Sequence, residues 1–348
     1  MSKNKANIAL SNLGEVSTSG PLIALRKGIN ELINRRQKRQ APVSAPNIKV
    51  KYKRLLSVII CTANRTELAA AAARSIANQN FDKSLLELIV VNNSTKPFPK
   101  ELLPPFTTLV TEETQGLSLA RNKGAKTANG EYLLFIDDDA LATEGLLSAM
   151  FSAFENHSAS IIGGQIELKL PTPVPSVFLE GKEALWSGYT VPYKSYREVR
   201  EQYEFPYGAC FAVRHSVLDF LGGFSTCFGR CGDDYAGGEE TALCFAAKNH
   251  GLKIAVEPKA RVLHCVSPHR FTKEHIKQTL RAGILTTHRL YLEGYSKVGW
   301  TASYIEERIH IIKKELKKLQ QSNKELAAYY KECELSAFLE LYNTYFKR

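Results

Sequence analysis

The chain has 348 residues, 44% hydrophobic and 23% charged, an ordinary globular composition with room for one large α/β domain and appendages. Seven scattered cysteines make no disulfide framework and suit a reducing compartment, and no apolar run approaches the roughly 20 residues that span a bilayer. Of the net charge of +11, most sits in residues 1–54, where twelve Lys/Arg face two Glu; the nearly neutral body argues against nucleic acid as a partner.

Residues 1–20 are small and polar, read as disordered, and lack the apolar core of a signal peptide, so a cytoplasmic location is expected. From Leu22 to Arg39, apolar residues at helical spacing oppose a basic face. Such a helix either lies on the anionic inner face of the cell membrane or packs on the body. Ala41 to Pro46 holds two prolines and reads as a linker.

Leu55–Ile60 is a β-branched run ending in Cys61-Thr-Ala-Asn-Arg65, and reads as a strand followed by a loop. An Ala-rich helix is predicted over 67–80, a strand over 85–91 ending in Asn92-Asn-Ser-Thr95, a short strand over 107–111, and a helix over 116–128. Next comes Gly130-Glu-Tyr-Leu-Leu-Phe-Ile-Asp-Asp-Asp139, an apolar strand that runs into three carboxylates. Packing does not ask for three adjacent Asp, which repel one another and are poor strand formers. If the strand alternation continues, Asp137 and Asp139 point the same way and can share a divalent cation. A helix over 144–156 and a strand over 160–168 follow. This alternation implies parallel strands with crossover helices, which gathers Thr62–Arg65, Asn92–Ser94 and Asp137–Asp139 at one sheet edge, where ligands bind.

Residues 171–192 form a proline-rich aromatic loop containing Trp186 and Tyr189. A strand over 208–214 and a short helix over 215–221 precede a glycine-rich loop, 226–238, that holds Asp233 and Asp234. Helix 239–249 opens on Glu239-Glu240 and is capped by Gly251. Two short strands, 253–256 and 260–263, flank Pro258 and lead to His264; helical segments cover 273–295. From Ile305 to Phe346 runs a long amphipathic helix or helix pair, whose near-heptad residues Ile305, Ile309, Ile312, Leu316 and Leu319 pack on the body or on a second copy of the chain.

Ser57–Arg65, Leu88–Ser94, Leu119-Ala-Arg-Asn-Lys-Gly124, Gly130–Asp139 and Gly238-Glu-Glu-Thr-Ala-Leu243, in that order, resemble the inverting GT-A glycosyltransferases of family 2 over about residues 55–290. The resemblance implies a three-layer α/β/α domain of the GT-A fold over 55–300, between a basic extension, 1–54, and a helical tail, 301–348. It implies a nucleoside-diphosphate sugar donor, a divalent cation (Mn2+ or Mg2+) that neutralises the leaving diphosphate, and a glycan or lipid-linked acceptor in surface polysaccharide assembly. Asp139 matches the cation-binding carboxylate, Asp137 the one that meets ribose or a water on the cation, and Asp138 the variable position between them. His264 matches a late cation or phosphate contact, and Arg270 lies in a segment that folds over the donor phosphates. Thr62, Asn64, Arg65, Asn92, Arg121 and Asn122 are expected around the donor. Glu240, paired with Glu239, stands where the family has its base, usually Asp; Asn92 also replaces a usual Asp. Those two replacements support an alternative, a sugar-nucleotide or glycan-binding module without activity. Trp186, Tyr189, Asp233 and Asp234 are expected on the acceptor side.

Overall fold

The computed structural model describes residues 45–49, 51–230, 235, 237–297 and 299–347. The helix expected at 22–39 and the pair Asp233–Asp234 lie outside them.

Strands β1 (Lys53–Thr62), β2 (Leu86–Asn92), β3 (Thr108–Thr111) and β4 (Gly130–Asp137) are parallel, in the order β3-β2-β1-β4. Strands β1, β2 and β4 are near-continuous apolar runs because they are covered on both faces. Helix α1 (Thr66–Ala77) buries four alanines and Ile76 against them. Helix α2 (Leu117–Thr127) comes so near that a Cβ on Gly124 would sit 2.5 Å from Ile59 Cγ2. Only glycine allows that approach.

Beyond β4 the expected parallel alternation fails. After β5 (Ala140–Ala142), helix α3 (Leu146–Asn156) and β6 (Ile161–Lys169), the chain passes through β7 (Arg197–Glu198) to β8 (Cys210–Arg214), which inserts antiparallel between β4 and β6. Helix α4 (His215–Phe220), helix α5 (Glu239–Asn249) and β9 (Ile254–Cys265) complete the mixed sheet, with β9 parallel to β6 and antiparallel to β5 and β7. The two strands expected around Pro258 are one. Between Gly163↔Val256 and Gln165↔Arg261 the register jumps, and Pro258 lies in that bulge, where no ladder N–H is required. Strands β5 and β7 are too short to show a period in the sequence.

Helices α6 (Lys273–Leu292), α7 (Ala302–Gln321) and α8 (Glu325–Tyr345) pack together. Ile305, Ile309 and Ile312 are buried with Ile284, Trp300, Ala337, Phe338 and Leu341. Three of the five near-heptad residues therefore face their own chain, and Leu316 and Leu319 are half-buried. No helix among the described residues is long and apolar enough to cross a membrane.

Phe338 is fully buried in this layer. Phe338→Ala should cost about 3–5 kcal/mol, lowering the urea midpoint in an equilibrium unfolding curve.

Candidate active site

Parallel pairing places the ends of β1, β2 and β4 side by side, with Thr62 opposite Asn92 and Cys61 opposite Asp137. β4 stops at Asp137, so its alternation does not reach Asp139 as the sequence suggested. Instead Asp138 and Asp139 share a partner. Arg65 donates to Asp138 through Nε, at 3.0 Å, and through Nη2, and to Asp139 through Nη1 at 2.8 Å. Thr62 donates its hydroxyl to Asp138 at 2.6 Å. Asp138, expected as a spacer, is thus among the most engaged side chains of the cluster and almost wholly buried. Burial raises its carboxyl to about 7 against the opposing pull of Arg65 and Thr62. With donors on both oxygens, this arrangement belongs to the ionised form.

The β5–β9 pairing brings in His264. It lies opposite Ala140, and the Cys265 N–H donates to the Asp139 carbonyl at 2.7 Å. The buried His264 ring has Nδ1 2.9 Å from the Trp186 carbonyl, which requires a hydrogen on Nδ1. Nε2 then faces Asp139 Oδ1 at 3.1 Å. A nitrogen so placed beside a carboxylate is satisfied by a proton or by a cation, and in that respect the donor set fits a divalent metal. Burial pushes the Asp139 carboxyl up, but the hydrogen bond and charge of His264, with Arg65 and Arg270, outweigh it and hold it well below the usual range. Among the described residues, no three His, Cys, Asp or Glu side chains already converge as a metal cage.

On the other side of the cleft, Arg121 from α2 reaches Glu239 Oε1 at 2.5 Å and Asp137 Oδ1 at 3.2 Å. Its guanidinium stacks over Phe224 and lies against Gly208, where a Cβ would come within 2.4 Å of Nη2. Glu239 and Glu240 open α5, where free backbone N–H groups and the helix dipole favour carboxylates. Each keeps one buried oxygen, Oε2, without a hydrogen-bond partner. Burial, then the neighbouring Glu239 charge, raise Glu240 to about 8, only partly offset by Arg121.

Both sides line one cleft of about 420 Å³, together with Arg230, Arg270, His275 and the α6 residues Thr279, Ala282, Gly283 and Thr286. Arg270 leaves Nε and Nη2 buried and unpartnered, and burial with nearby Arg230 lowers it to about 10. The sequence reading gave the α6 wall no role; small and hydroxylated residues recur on this helix face. A larger depression of about 830 Å³ over α3 shares no residue with this cleft.

Other expected residues are spent elsewhere. Asn122 bonds the Phe224 backbone with both ends of its amide and so shapes a turn. Trp186 is fully buried among Phe178, Phe271 and His275 and donates to the Arg270 carbonyl; Tyr189 donates to the Glu204 carbonyl from the core. Neither ring offers a face to a sugar on the acceptor side. Asn92 donates to the Lys96 carbonyl, and Asn64 accepts from Ser94. Asn93, which the sequence reading gave no separate role, bonds Glu112, Thr114 and Gly116 and fixes the approach to α2.

The family model described as glycosyl transferase family 2 matches residues 57–222. Glucosyl-dolichyl phosphate glucuronosyltransferase of Haloferax volcanii is 24% identical over 252 residues, 70% of this chain and 76% of its own length. Succinoglycan biosynthesis protein ExoM of Rhizobium meliloti is 26% identical over 239 residues, 66% of this chain and 72% of its own. A mannosyltransferase from Pyrobaculum calidifontis, solved with GDP-Man and Mn2+, superposes with a TM-score of 0.52 at 17% identity, covering 93% of this chain and 84% of that one. At that identity the superposition speaks to fold. Residues 57–222 are thus a family 2 glycosyltransferase domain on the GT-A fold, and the chain that carries it is a glycosyltransferase.

Proposed function

We propose that the chain moves a sugar, with inversion, from a nucleoside-diphosphate sugar to a hydroxyl of a glycan or lipid-linked acceptor in surface polysaccharide assembly. One observation carries the reading: a carboxylate with a raised pKa and a bare oxygen, Glu240, faces the same cleft as the Asp137–Asp139 cluster. An inverting transfer needs one base for the attacking hydroxyl and a separate place for the leaving diphosphate. The relatives named for glucosyl-dolichyl phosphate and for succinoglycan biosynthesis support the acceptor class. The mannosyltransferase solved with GDP-Man and Mn2+ is in keeping with the donor class and the cation.

In this reading Asp139 and His264 hold the divalent cation, and Asp137 meets the ribose. A bound Mn2+ or Mg2+ neutralises charge that grows on the departing diphosphate. Arg270, with its unpartnered guanidinium edge, pairs with phosphate oxygens. Glu240 takes the proton of the acceptor hydroxyl as that oxygen attacks the anomeric carbon. Arg121 pairs with Glu239 beside it, and the Glu239 charge, second to burial, raises Glu240 and makes it a stronger base.

Glu240→Gln should lower transfer by about 10²–10⁴-fold while nucleotide affinity, followed by calorimetry, stays unchanged. Normal turnover in this variant would move the base to Glu239, Asp233 or Asp234. Because the base acts deprotonated, kcat/KM should fall as pH drops through the raised pKa near about 8, well above an ordinary glutamate; a profile flat from pH 6 to 9 would contradict the assignment. Arg121→Ala strips the counter-ion from a buried Glu239 and should cost about 3–5 kcal/mol in chemical denaturation.

A further inference from the structure

We propose that Arg65 is a built-in counter-ion that holds the Asp138–Asp139 pair closed to a divalent cation until nucleotide draws it away, so that cation and nucleotide bind as one event. The proposal rests on the donor and cation reading above.

Every oxygen of the two carboxylates is taken. Asp138 Oδ1 accepts from Arg65 Nη2, and Oδ2 from Arg65 Nε and Thr62. Asp139 Oδ2 accepts from Arg65 Nη1, and Oδ1 faces His264. A divalent cation binds such oxygens directly, and it repels a guanidinium that already sits on them. One of the two has to leave.

Of the groups in the cluster, Arg65 is the one built to leave. Its side chain is 48% exposed, whereas those of Asp138 and Asp139 are 1% and 5%. Thr62 ends β1 and His264 lies within β9, both buried and paired in the sheet. Arg65 precedes the first turn of α1, and its head group can swing into the cleft it already lines without disturbing a strand. A diphosphate supplies what the guanidinium gives up, since phosphate oxygens accept the same forked pair of hydrogen bonds as a carboxylate. Once Arg65 moves to the phosphate, Asp139, which with His264 is the proposed cation ligand, and the adjacent buried Asp138 are left short of positive charge. Such a site draws in a cation.

The test is Mn2+ titration of the full-length chain, followed by electron paramagnetic resonance of free Mn2+, alone and with GDP or UDP as the probe nucleotide. Wild type should bind Mn2+ weakly alone and at least tenfold more tightly with one of the nucleotides. Arg65→Gln, which removes the charge, should bind Mn2+ alone at least tenfold more tightly than wild type and gain little from nucleotide. Arg65→Lys, which keeps the charge, should behave like wild type. Equal or weaker Mn2+ binding by a folded Arg65→Gln would overturn the proposal, as would equal wild-type affinity with and without nucleotide. The wild-type comparison decides even if the Gln variant does not fold. No Mn2+ uptake in any arm would remove the cation reading itself, and the lock with it.

Discussion

Five carboxylates, Asp137, Asp138, Asp139, Glu239 and Glu240, line one cleft, and the fold has to hold them there without a full shell of water. Two like charges at 4 Å repel by about 4 kcal/mol at the effective dielectric of a protein surface. Two arginines answer that repulsion. Arg65 clamps the Asp138–Asp139 pair, and Arg121 ties Glu239 to Asp137. Gly208 exists as a glycine because the Arg121 guanidinium lies where its side chain would be.

The two arginines do different work because they are differently buried. Arg65 reaches in from a partly exposed position, while Arg121 is enclosed by Phe224, Gly208 and its two acids. Arg121 also joins the two halves of the proposed chemistry, since Asp137 belongs to β4 and Glu239 to α5. A shift of the strand end would be felt at the base through one side chain.

Much of this was legible in the sequence, for identifiable reasons. Apolar strands that stop abruptly in polar residues reveal a ligand edge, so Thr62, Arg65 and the Asp triplet could be grouped before any coordinates. The Glu pair was legible through the resemblance, because acids in a first helical turn are ordinary by themselves. What could not be read were contacts set by tertiary pairing. The sequence does not show β8 inserting antiparallel next to β4, because a strand buried on both faces has the same pattern in either direction. It does not show that Asn122 serves the Phe224 backbone, since an amide suits a turn and a ligand alike. Trp186 misled because an aromatic in a proline-rich loop is as able to fill a core as to meet a sugar. The role of Asp138 was missed because β4 ends at Asp137, two residues sooner than the alternation assumed.

The short β5–β9 ladder bears on how the site is spread along the chain. Asp139 and His264 meet only through this pairing, and Glu240 also lies beyond residue 222, where the family-matched segment stops. The pairings within β1–β4 lie comparatively close in the chain, while β8 and β9, which complete the sheet, come far later. The acid edge is thus complete by residue 139, whereas its proposed base, the partner of Asp139 and the far wall of the cleft all come from residues after 238, so the order of the chain separates the part that collects charge from the part that uses it.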